Sequence, residues 1–290
     1  MQLIDGRALA AKIHKEIAQE VRALEITPGL GVILVGENPA SHLYVALKEK
    51  AAKEVGIKFE KYVFRGTEPE AKIIEKIREL NAREDIHGIL VQVPLPPAYS
   101  EDAIINTIDP KKDADGFHQV NLRAILAGEP RIFPAVALAI VALIDEACEK
   151  AKLLPAAQHK SLALDYRKAI LLVNRTEFAA PLEYLLEERG ALVHIILRAK
   201  TITPDIAAQL KKADVLVVAR GHAGIIKGEM IKDGTIVIDV GTNKLPDGRV
   251  VGDVDFASSR DKPGFITPVP GGVGPMTVAM LLKNVLELAK

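Results

Sequence analysis

The segment from Gly31 to Gly36 reads GVILVG and decides how the first half of the chain folds. Its central residues are apolar without alternation, which is typical of a parallel strand buried on both faces. A second run of this kind, GILVQVP, spans Gly88 to Pro94, and Tyr62 to Phe64 is a short strand candidate between them. The stretches 40–55 and 68–81 carry apolar residues at helical spacing. This alternation of strand and helix predicts a βαβ arrangement.

The second half of the chain repeats the alternation after a long Ala-rich helical stretch from Val136 to Lys152. Apolar runs recur about every 20 residues, a spacing that suits a doubly wound, Rossmann-like parallel sheet. We predict strands at 169–173, 192–197, 215–219 and 235–240, with helices at 181–189 and 204–212. A last predicted helix, 276–288, follows a segment rich in Gly and Pro and is expected to return to the first domain.

These patterns predict an α/β protein of two domains. We expect residues 1–135 to form a three-layer α/β domain that the C-terminal helix, 274–290, completes. Residues 136–273 are expected to form the Rossmann-like domain. The chain length of 290 residues supports two cores, because one domain commonly holds ~100–200 residues.

The composition excludes several classes of protein. Lys plus Arg and Asp plus Glu each number 38, so the net charge is zero, whereas nucleic-acid-binding domains usually carry a basic surplus. The single cysteine, Cys148, excludes an intrachain disulfide and indicates a reducing compartment. The sequence shows no secretion signal and no apolar run of about 18 residues, so we expect a cytoplasmic protein outside the membrane. The histidines are not spaced as a metal site, and we expect no bound metal.

Tyr44 and Lys48 lie four residues apart on the helix predicted for 40–55, and Ser41 shares their face. If this face borders a cleft, burial lowers the pKa of Lys48 and makes the lysine a usable base. The alternative is a solvated lysine whose stem covers the tyrosine ring, which is the commoner arrangement at this spacing.

Further polar positions follow the second apolar run. Gln92 interrupts it, and because a buried amide needs a partner, its place near the carboxyl end of a parallel strand favours a ligand-binding role. Val93–Pro94 is a candidate cis peptide bond. Asp113 and Asp115 offer two carboxylates, although the same residues are typical of an ordinary turn.

Two loops are candidate ligand sites. Residues 266–277 read ITPVPGGVGPMT, which predicts either a rigid binding loop leading into a helix N-terminus or a connector between domains. The turn after the strand at 169–173 lacks the GxGxxG fingerprint of dinucleotide-binding folds and begins with Asn174. Arg175 and Thr176 are nevertheless candidates to bind phosphate at a helix N-terminus.

Six segments together resemble one enzyme family. They are VGENPASHLYVALKEKAAKEVGI at 35–57, GILVQVPLP at 88–96, KDADGFH at 112–118, KGEMIKDGTIVIDVGTN at 227–243, GRVVGDVDF at 248–256 and FITPVPGGVGPMTVAML at 265–281. In this order they resemble the bifunctional methylenetetrahydrofolate dehydrogenase/methenyltetrahydrofolate cyclohydrolase (FolD-type) family over nearly the whole chain. The resemblance implies a folate cleft between two α/β domains, tetrahydrofolate derivatives as substrates, NADP as cofactor and a homodimer.

The resemblance also implies roles for individual residues. Lys48 is the implied acid/base, and Tyr44 packs on the substrate. Gln92 supports Lys48 and the reacting water, and Asp115 hydrogen-bonds the pterin ring. The implied substrate-binding residues are Tyr44, Gln92, Asp115, Pro270 and Gly271. The implied cofactor-binding residues are Asn174, Arg175, Thr176, Thr242 and Thr277.

The departures from this family are concentrated where NADP is expected to bind. Asn174 replaces the first glycine of the family's turn, a second glycine is absent, and the turn is one residue shorter. Residues 151–167 resemble an insertion, and the family's His-Ser run after the next strand is replaced by Arg198-Ala199-Lys200-Thr201. We therefore expect hydrolysis of methenyltetrahydrofolate to be retained, and NADP-dependent oxidation to be weakened, switched to NAD, or lost.

Two alternatives remain open. One is a fully bifunctional dehydrogenase/cyclohydrolase with an unusual cofactor loop. The other, from a different class, is a non-catalytic protein that binds folate or a protein partner. The presence of all four residues at the implied catalytic positions argues against the second alternative, since loss of function seldom spares such a set.

Overall fold

The computed structural model describes residues 1–151, 164–199 and 201–290. Most of the predicted insertion near 151–167 lies outside the described residues. The chain divides into two compact units. The three-stranded unit contains Ala10–Ala135 and Thr277–Lys290, and the six-stranded unit contains Met1–Leu9 and Val136–Met276. Both units combine parallel strands with helices, which confirms the predicted α/β class.

The first part of the chain supplies four strands and five helices to the described structure. In chain order these elements are β1 (Gln2–Leu3), α1 (Gly6–Ala23), β2 (Gly29–Val35), α2 (Pro39–Val55), β3 (Lys58–Phe64), α3 (Glu70–Asn81), β4 (Gly88–Val91), α4 (Glu101–Ile105) and α5 (Gln119–Leu126). A single 3-10 turn, Pro110–Lys112, separates α4 from α5.

The remainder of the chain continues the βα alternation. Its elements are α6 (Ala135–Lys150), β5 (Lys168–Val173), α7 (Thr176–Glu187), β6 (Leu192–Leu197), α8 (Pro204–Leu210), β7 (Val215–Ala219), β8 (Ile236–Asp239), β9 (Asn243–Lys244), β10 (Val250–Val251), α9 (Phe256–Ser259), β11 (Phe265–Ile266) and α10 (Val273–Leu288). The predicted strands and helices of this region are therefore present. The bounds of β6 and β7 are as predicted, and the other elements have shifted ends.

The three-stranded sheet has the order β3-β2-β4, and its strands are parallel. Every residue of β2 and β4 is buried, which explains why both strands read as continuous apolar runs. Ile33 of β2 pairs with Tyr62 of β3 and Val91 of β4. Ile73 and Ile77 of α3 belong to the same core as Ile33. The apolar residues of the strands and those of helix α3 thus pack into one core.

Helix α2 is fixed at both ends. The side chain of Asn38 accepts hydrogen bonds from the backbone N–H groups of Ala40 and Ser41, and Pro39 takes the first helical position. Gly56 ends the helix in the left-handed conformation, with φ at 85°. Because both ends are fixed, residues near the centre of α2 keep a defined position.

The six-stranded sheet has the order β1-β11-β8-β7-β5-β6, and every neighbouring pair is parallel. The chain passes from β5 to β6 on one side and then to β7 on the opposite side of β5. The winding therefore reverses between β5 and β7, and doubly wound sheets bind ligands at the carboxyl end of such a reversal. This topology confirms the Rossmann-like prediction.

Helices α7 and α10 begin well before their predicted starts. Helix α7 begins at Thr176, so the predicted start at Pro181 is wrong, and that proline lies inside the helix. Proline usually marks the first turn, which is why the sequence favours the later start. Helix α10 begins at Val273 rather than Met276, because Pro275 falls within its first turn, where a missing backbone N–H costs little.

The strands β1, β9, β10 and β11 contain only two residues each, which is too short for a sequence pattern to reveal. Gln2 of β1 pairs with Phe265 of β11. This pairing explains why Met1–Leu9 groups with the six-stranded unit, whereas the sequence-based division assigns residues 1–135 to the other domain.

Helix α6 is a core helix of the six-stranded unit, with Leu143, Ile144 and Cys148 fully buried. Burial raises the pKa of the Cys148 thiol to about 11, so the thiol stays protonated near neutral pH. The described ranges contain no helix that is both long enough and apolar enough to cross a lipid bilayer.

Helix α10 joins the three-stranded unit, as predicted. Asn284 is 5% exposed, and its Nδ2 donates hydrogen bonds to the backbone carbonyls of Ala114 at 2.9 Å and Phe133 at 3.0 Å. Val285 lies so close to β4 that a Cβ added at Gly88 would be 2.9 Å from its Cγ2. The returning helix is thus held by both hydrogen bonds and packing.

We predict that Asn284→Ala lowers the free energy of unfolding by about 1–3 kcal/mol, because two buried carbonyls lose their donor. Urea unfolding followed by circular dichroism measures the change. Lys283→Ala is the matched control, since the neighbouring lysine is exposed on the same helix and its loss should change the free energy by less than about 0.5 kcal/mol. Equal effects of the two substitutions would contradict the anchoring role of Asn284.

Candidate functional site

Lys48 is buried at the centre of helix α2. Only 8% of its surface is exposed, and its Nζ donates a 2.8 Å hydrogen bond to Oε1 of Gln92. Gln92 directly follows β4, so this bond joins the middle of a helix to the carboxyl end of a parallel strand. The structure thus brings together two residues that the sequence analysis singles out separately.

Gln92 is oriented by a second hydrogen bond. Its Nε2 donates to the backbone carbonyl of Val93 at 2.7 Å. Because the amide nitrogen is engaged there, Oε1 faces Lys48 and accepts from it. The Val93–Pro94 peptide bond is cis, as the sequence suggests. Gln92 therefore acts as a fixed acceptor for the lysine.

The two carboxylates of the segment 113–115 have different surroundings. Asp113 is 1% exposed, and it accepts hydrogen bonds from the backbone N–H groups of Gly116 at 3.0 Å and His118 at 2.8 Å. It therefore stabilises the turn, which is the ordinary interpretation of this motif. Asp115 is partly exposed, and its charge acts on Lys48.

Burial and charge shift the pKa values of this site. Desolvation lowers the pKa of Lys48, and the negative charge of Asp115 offsets part of that change. Desolvation raises the pKa of Asp115, while Lys48 acts to lower it and Asp113 acts to raise it further. Lys48 therefore holds its proton less tightly than an exposed lysine does. A neutral lysine amine can accept a proton, so the site has the chemistry of a general base.

Tyr44 and Ser41 lie on the same face of α2 as Lys48. Tyr44 is half-buried. Ser41 is 2% exposed, and its Oγ has no hydrogen-bond partner among the described residues. A buried hydroxyl without a partner is unusual, so this face retains unused hydrogen-bonding capacity. We refer to Tyr44, Lys48, Gln92 and Asp115 as the Lys48 site.

A second group of polar residues lies at the carboxyl edge of the six-stranded sheet. Asn174, Arg198 and Arg220 directly follow β5, β6 and β7, and we call them the carboxyl-edge cluster. Asn174 Nδ2 donates to the carbonyl of Arg220 at 3.0 Å, and Arg198 Nε donates to the carbonyl of Asn174 at 3.3 Å. Nη2 of Arg220 donates to the carbonyl of Ala199. These bonds connect the ends of all three strands across the reversal point.

Arg198 is held in an uncommon backbone conformation. Its φ is 52°, in the left-handed region, which costs a residue other than glycine roughly 1–2 kcal/mol. The side chain is exposed, and its backbone N–H donates to the carbonyl of Val173 at 2.9 Å. Such strain is often found at ligand sites. Lys200, the other basic residue noted in this segment, lies outside the described residues.

Arg220 is a functional candidate that the sequence patterns described above do not indicate. The residue is 5% exposed, and neither Nε nor Nη1 has a hydrogen-bond acceptor among the described residues. The signal that reveals it is a charged residue directly after the apolar run VLVVA at 215–219, next to the reversal point of the sheet. A sequence pattern alone does not distinguish this arginine from a solvated one.

The N-terminus of helix α7 faces the same edge of the sheet. Arg175 precedes the helix in an extended conformation, with φ at −133°, and makes no side-chain capping bond. Thr176, the first helical residue, is exposed. The first N–H groups of a helix have no partner within it, so this end can bind an anion. The structure therefore groups Asn174, Arg175 and Thr176 as the sequence analysis expects.

Two buried carboxylates brace the loops beside the carboxyl-edge cluster. Asp253 accepts hydrogen bonds from the backbone N–H groups of residues 220–222. Asp239 accepts from the N–H groups of Asp253 at 2.9 Å and Val254 at 2.8 Å, and desolvation raises its pKa to about 6. A Cβ at Gly252 would lie 1.8 Å from Oδ2 of Asp239, so this position requires glycine. The segments at 238–243 and 250–255 are thus held together by the buried carboxylates of Asp239 and Asp253.

The remaining predicted site residues lie in loops of the six-stranded unit or at its end. Pro270 is exposed, and Gly271 is buried with φ at 114°. A Cβ at Gly272 would lie 2.6 Å from Cβ of Thr267, so the loop is tightly packed and fits the rigid-loop interpretation.

Thr242 and Thr277, two of the implied cofactor-binding residues, stand apart from the carboxyl-edge cluster in sequence. Thr242 is exposed after β8, and Thr277 is partly buried within α10. Their cofactor roles stay predictions. In the described ranges, no group of three or more His, Cys, Asp or Glu side chains is arranged to hold a metal ion.

Comparison with known proteins bears on both units. The family model described as the catalytic domain of tetrahydrofolate dehydrogenase/cyclohydrolase matches residues 4–115, and that of the NAD(P)-binding domain matches residues 148–290. The chain belongs to the tetrahydrofolate dehydrogenase/cyclohydrolase family. The first match contains all four residues of the Lys48 site, and the second contains the whole carboxyl-edge cluster.

Individual members of this family match over their full length. The bifunctional protein FolD of Anaeromyxobacter dehalogenans is 44% identical, over 100% of this chain and 99% of the relative. The crystal structure of the bifunctional enzyme FolD from Campylobacter jejuni gives a TM-score of 0.88 at 37% identity, covering 100% of this chain and 98% of that one. The Trypanosoma brucei FolD structure, complexed with NADP cofactor and inhibitor, gives 0.87 at 37% identity, covering 99% and 96%.

Family membership makes this chain an enzyme of one-carbon folate metabolism and confirms the resemblance. The match to the NAD(P)-binding domain includes the glycine-poor turn at Asn174. The comparisons therefore do not support the expectation that the departures in this turn remove nucleotide binding. The backbone gives a physical reason, because Asn174, which stands where the family has its first glycine, does not have a positive φ.

We predict that the side-chain amine of Lys48 loses its proton at lower pH than the main group of lysines, because burial disfavours its charged form. Nuclear magnetic resonance titration of the lysine ε-groups measures this, and Lys48→Met identifies the signal. Asp115→Asn should lower the pKa of Lys48 further, since the carboxylate acts to raise it. A rise in that variant would contradict the electrostatic account.

Proposed function

We propose that this chain hydrolyses methenyltetrahydrofolate to formyltetrahydrofolate at the Lys48 site and also oxidises methylenetetrahydrofolate with NADP. The observation that carries the hydrolytic part is the buried 2.8 Å hydrogen bond from Lys48 to Gln92, in surroundings that lower the pKa of the lysine. Because its pKa is lowered, Lys48 holds more neutral amine at a given pH than an exposed lysine does, which suits proton transfer from water.

The proposed hydrolysis uses Lys48 to move a proton. Neutral Lys48 accepts a proton from water while the water oxygen bonds to the cationic methenyl carbon. The protonated lysine then returns the proton to a folate nitrogen as the bond from that nitrogen to carbon breaks. The remaining hydroxyl proton passes to solvent as the C–O bond becomes the formyl carbonyl. The positive charge of the substrate further favours the neutral form of Lys48 in the complex.

The other residues of the Lys48 site have supporting roles in this proposal. Gln92 keeps the amine of Lys48 oriented, because its own amide is fixed by the Val93 carbonyl. Tyr44 packs on the substrate, and Asp115 hydrogen-bonds the pterin ring. Pro270 and Gly271 contribute to substrate binding in the same proposal. This set argues against the alternative of a non-catalytic binding protein, since a binding site alone does not need a buried base.

We predict that Lys48→Met reduces methenyltetrahydrofolate hydrolysis by about 10²–10⁴-fold, the usual contribution of a general acid/base. Loss of absorbance of the methenyl chromophore gives the rate. Lys50→Met is the matched control, since Lys50 is exposed on the same helix and pairs with Glu54 at 3.9 Å. Hydrolysis by Lys48→Met at the control rate would refute the assignment of the base.

NADP is the nucleotide that the residues of the carboxyl edge fit. The unpartnered N–H groups of Arg220 and the start of α7 offer donors to an anion. In dinucleotide-binding folds, an acidic residue at the end of the second strand of the βαβ unit binds the ribose hydroxyl of NAD. An arginine near the same place binds the 2′-phosphate of NADP instead. Here Arg198 stands at the end of β6. When bound, NADP would accept a hydride from the substrate, and Asn174, Arg175, Thr176 and Arg198 would hold the nucleotide.

The resemblance also implies a homodimer, and the sequence composition favours a cytoplasmic location; both stay proposals. The exposed apolar side chains of Leu43 and Leu47 on α2 and of Val63 on β3 support self-association. Sedimentation velocity of the purified chain measures its oligomeric state.

We predict that the protein binds NADP more tightly than NAD in calorimetric titrations, and that Arg198→Asp removes this preference. The substitution replaces a phosphate partner by an acid that repels the 2′-phosphate, so the ratio of affinities should change by about tenfold or more. Lys211→Asp makes the same charge change in an exposed position between α8 and β7 and should leave the ratio unchanged. A ratio in Arg198→Asp equal to that of Lys211→Asp would contradict the prediction.

A further inference from the structure

Arg220 carries binding capacity that the rest of the fold does not use. A guanidinium is charged at every accessible pH and has five N–H donors. In Arg220 only Nη2 is engaged, with the carbonyl of Ala199, while Nε and Nη1 have no acceptor among the described residues. Because the residue is only 5% exposed, water does not readily replace the missing partners. An incompletely paired buried charge destabilises a fold, so its presence favours a role in binding.

The position of the Arg220 guanidinium indicates which group of a ligand it can bind. Arg220 follows β7, yet its Nη2 reaches Ala199, which lies just beyond the end of β6. Since β5 lies between these two strands, the side chain crosses the carboxyl end of β5. The guanidinium therefore approaches the carboxyl end of β6, the second strand of the βαβ unit that begins with β5. At this place dinucleotide-binding folds contact the 2′ position of the adenosine ribose.

We propose that Arg220 binds the 2′-phosphate of NADP and, together with Arg198, makes the chain specific for NADP. This inference rests on the proposed dehydrogenase function and adds a residue that selects its cofactor. The ligand group is a phosphate monoester on an adenosine ribose. Two guanidiniums approach it from the two strands that flank β5. The carboxylate beside Arg220, that of Asp253, is buried and engaged by the backbone N–H groups of residues 220–222.

The backbone of Arg220 is held by hydrogen bonds, so a ligand would be bound by its side chain. Its N–H donates to Asp253, and its carbonyl accepts from the side chain of Asn174 at 3.0 Å. Nε and Nη1 have no exposed surface, so the side chain or the neighbouring residues 221–223 shift when phosphate binds. Those neighbours are exposed, and no atom lies within 4 Å of a Cβ added at Gly221, which leaves them room to move.

Calorimetric titration of the full chain and its variants tests the assignment. NADP, NAD, adenosine 2′,5′-bisphosphate, ADP and inorganic phosphate are the probes. Adenosine 2′,5′-bisphosphate carries the 2′-phosphate without a pyrophosphate, and ADP carries the pyrophosphate without a 2′-phosphate. Arg220→Gln and Arg220→Met remove the guanidinium. Arg249→Gln is the matched control, because Arg249 is exposed and pairs with Asp247 at 2.7 Å.

We expect both Arg220 variants to bind NADP and adenosine 2′,5′-bisphosphate about 10- to 100-fold more weakly than the wild type. Their affinities for NAD and ADP should change by less than about threefold, and Arg249→Gln should behave as the wild type. Arg220→Met should also unfold at the same or a higher temperature without ligand, because it removes an incompletely paired buried charge. Its stabilisation by added NADP should be smaller than that of the wild type.

Other outcomes separate this inference from the proposed function. A wild type that binds neither NADP nor NAD would overturn both. Wild-type binding of NADP with unchanged affinity in both Arg220 variants would overturn the inference alone. An equal loss for NADP, NAD and ADP would assign Arg220 to the pyrophosphate, and wild-type binding of inorganic phosphate as tight as that of adenosine 2′,5′-bisphosphate would assign it to free phosphate. Either result would overturn the inference.

Discussion

Parallel hydrogen bonding forces the carboxyl ends of neighbouring strands onto one edge of a sheet, and both candidate sites depend on this constraint. In the three-stranded sheet, Gln92 directly follows β4 and meets Lys48 from the helix that follows β2. In the six-stranded sheet, Asn174, Arg198 and Arg220 each directly follow a strand, and hydrogen bonds link all three. Residues far apart in the chain become neighbours because each lies just after a strand, at the carboxyl edge of its sheet.

The two sites share a second physical property, since each keeps a buried polar group that the fold does not fully satisfy. Lys48 is buried with a lowered pKa, and Arg220 is buried with two nitrogens that have no acceptor among the described residues. Both arrangements cost stability, because charge is removed from water without complete compensation. The surroundings offset this cost. Gln92 accepts from Lys48, and the buried carboxylate of Asp253 fixes the backbone at Arg220.

Sequence patterns reveal the parts of this molecule that depend on local periodicity. The buried strands β2 and β4 read as unbroken apolar runs, and the caps Asn38 and Gly56 mark the ends of α2. The start of α7 is not predictable in this way, because Pro181 is a stronger local signal than the turn that precedes it. The two-residue strand β1 depends on a partner more than 250 residues away, and no local pattern encodes that pairing.

The site residues show the same limit. Lys48, Gln92 and Asp115 attract notice because each breaks an expected pattern or belongs to a familiar motif. Arg220 does not, because an arginine at the end of an apolar run is ordinarily solvated. Its importance comes from tertiary structure, in which a side chain from β7 crosses β5 and reaches the segment after β6. Ser41 is similar, because only the packing of α2 shows that its hydroxyl is buried without a partner.

The glycine-poor turn after β5 shows how such a site can change while the fold is kept. Glycines in a dinucleotide-binding turn serve two separate purposes, which are to permit unusual backbone angles and to let a ligand approach the backbone closely. The first purpose does not apply at Asn174, which replaces the first glycine and does not have a positive φ. Asn174 instead uses its side chain to bind the carbonyl of Arg220 across the reversal point of the sheet. In the proposed mode of binding, the loss of glycine changes how a nucleotide meets this edge while the strand order stays the same. Arginine side chains then take over part of the recognition that backbone N–H groups provide in a glycine-rich turn.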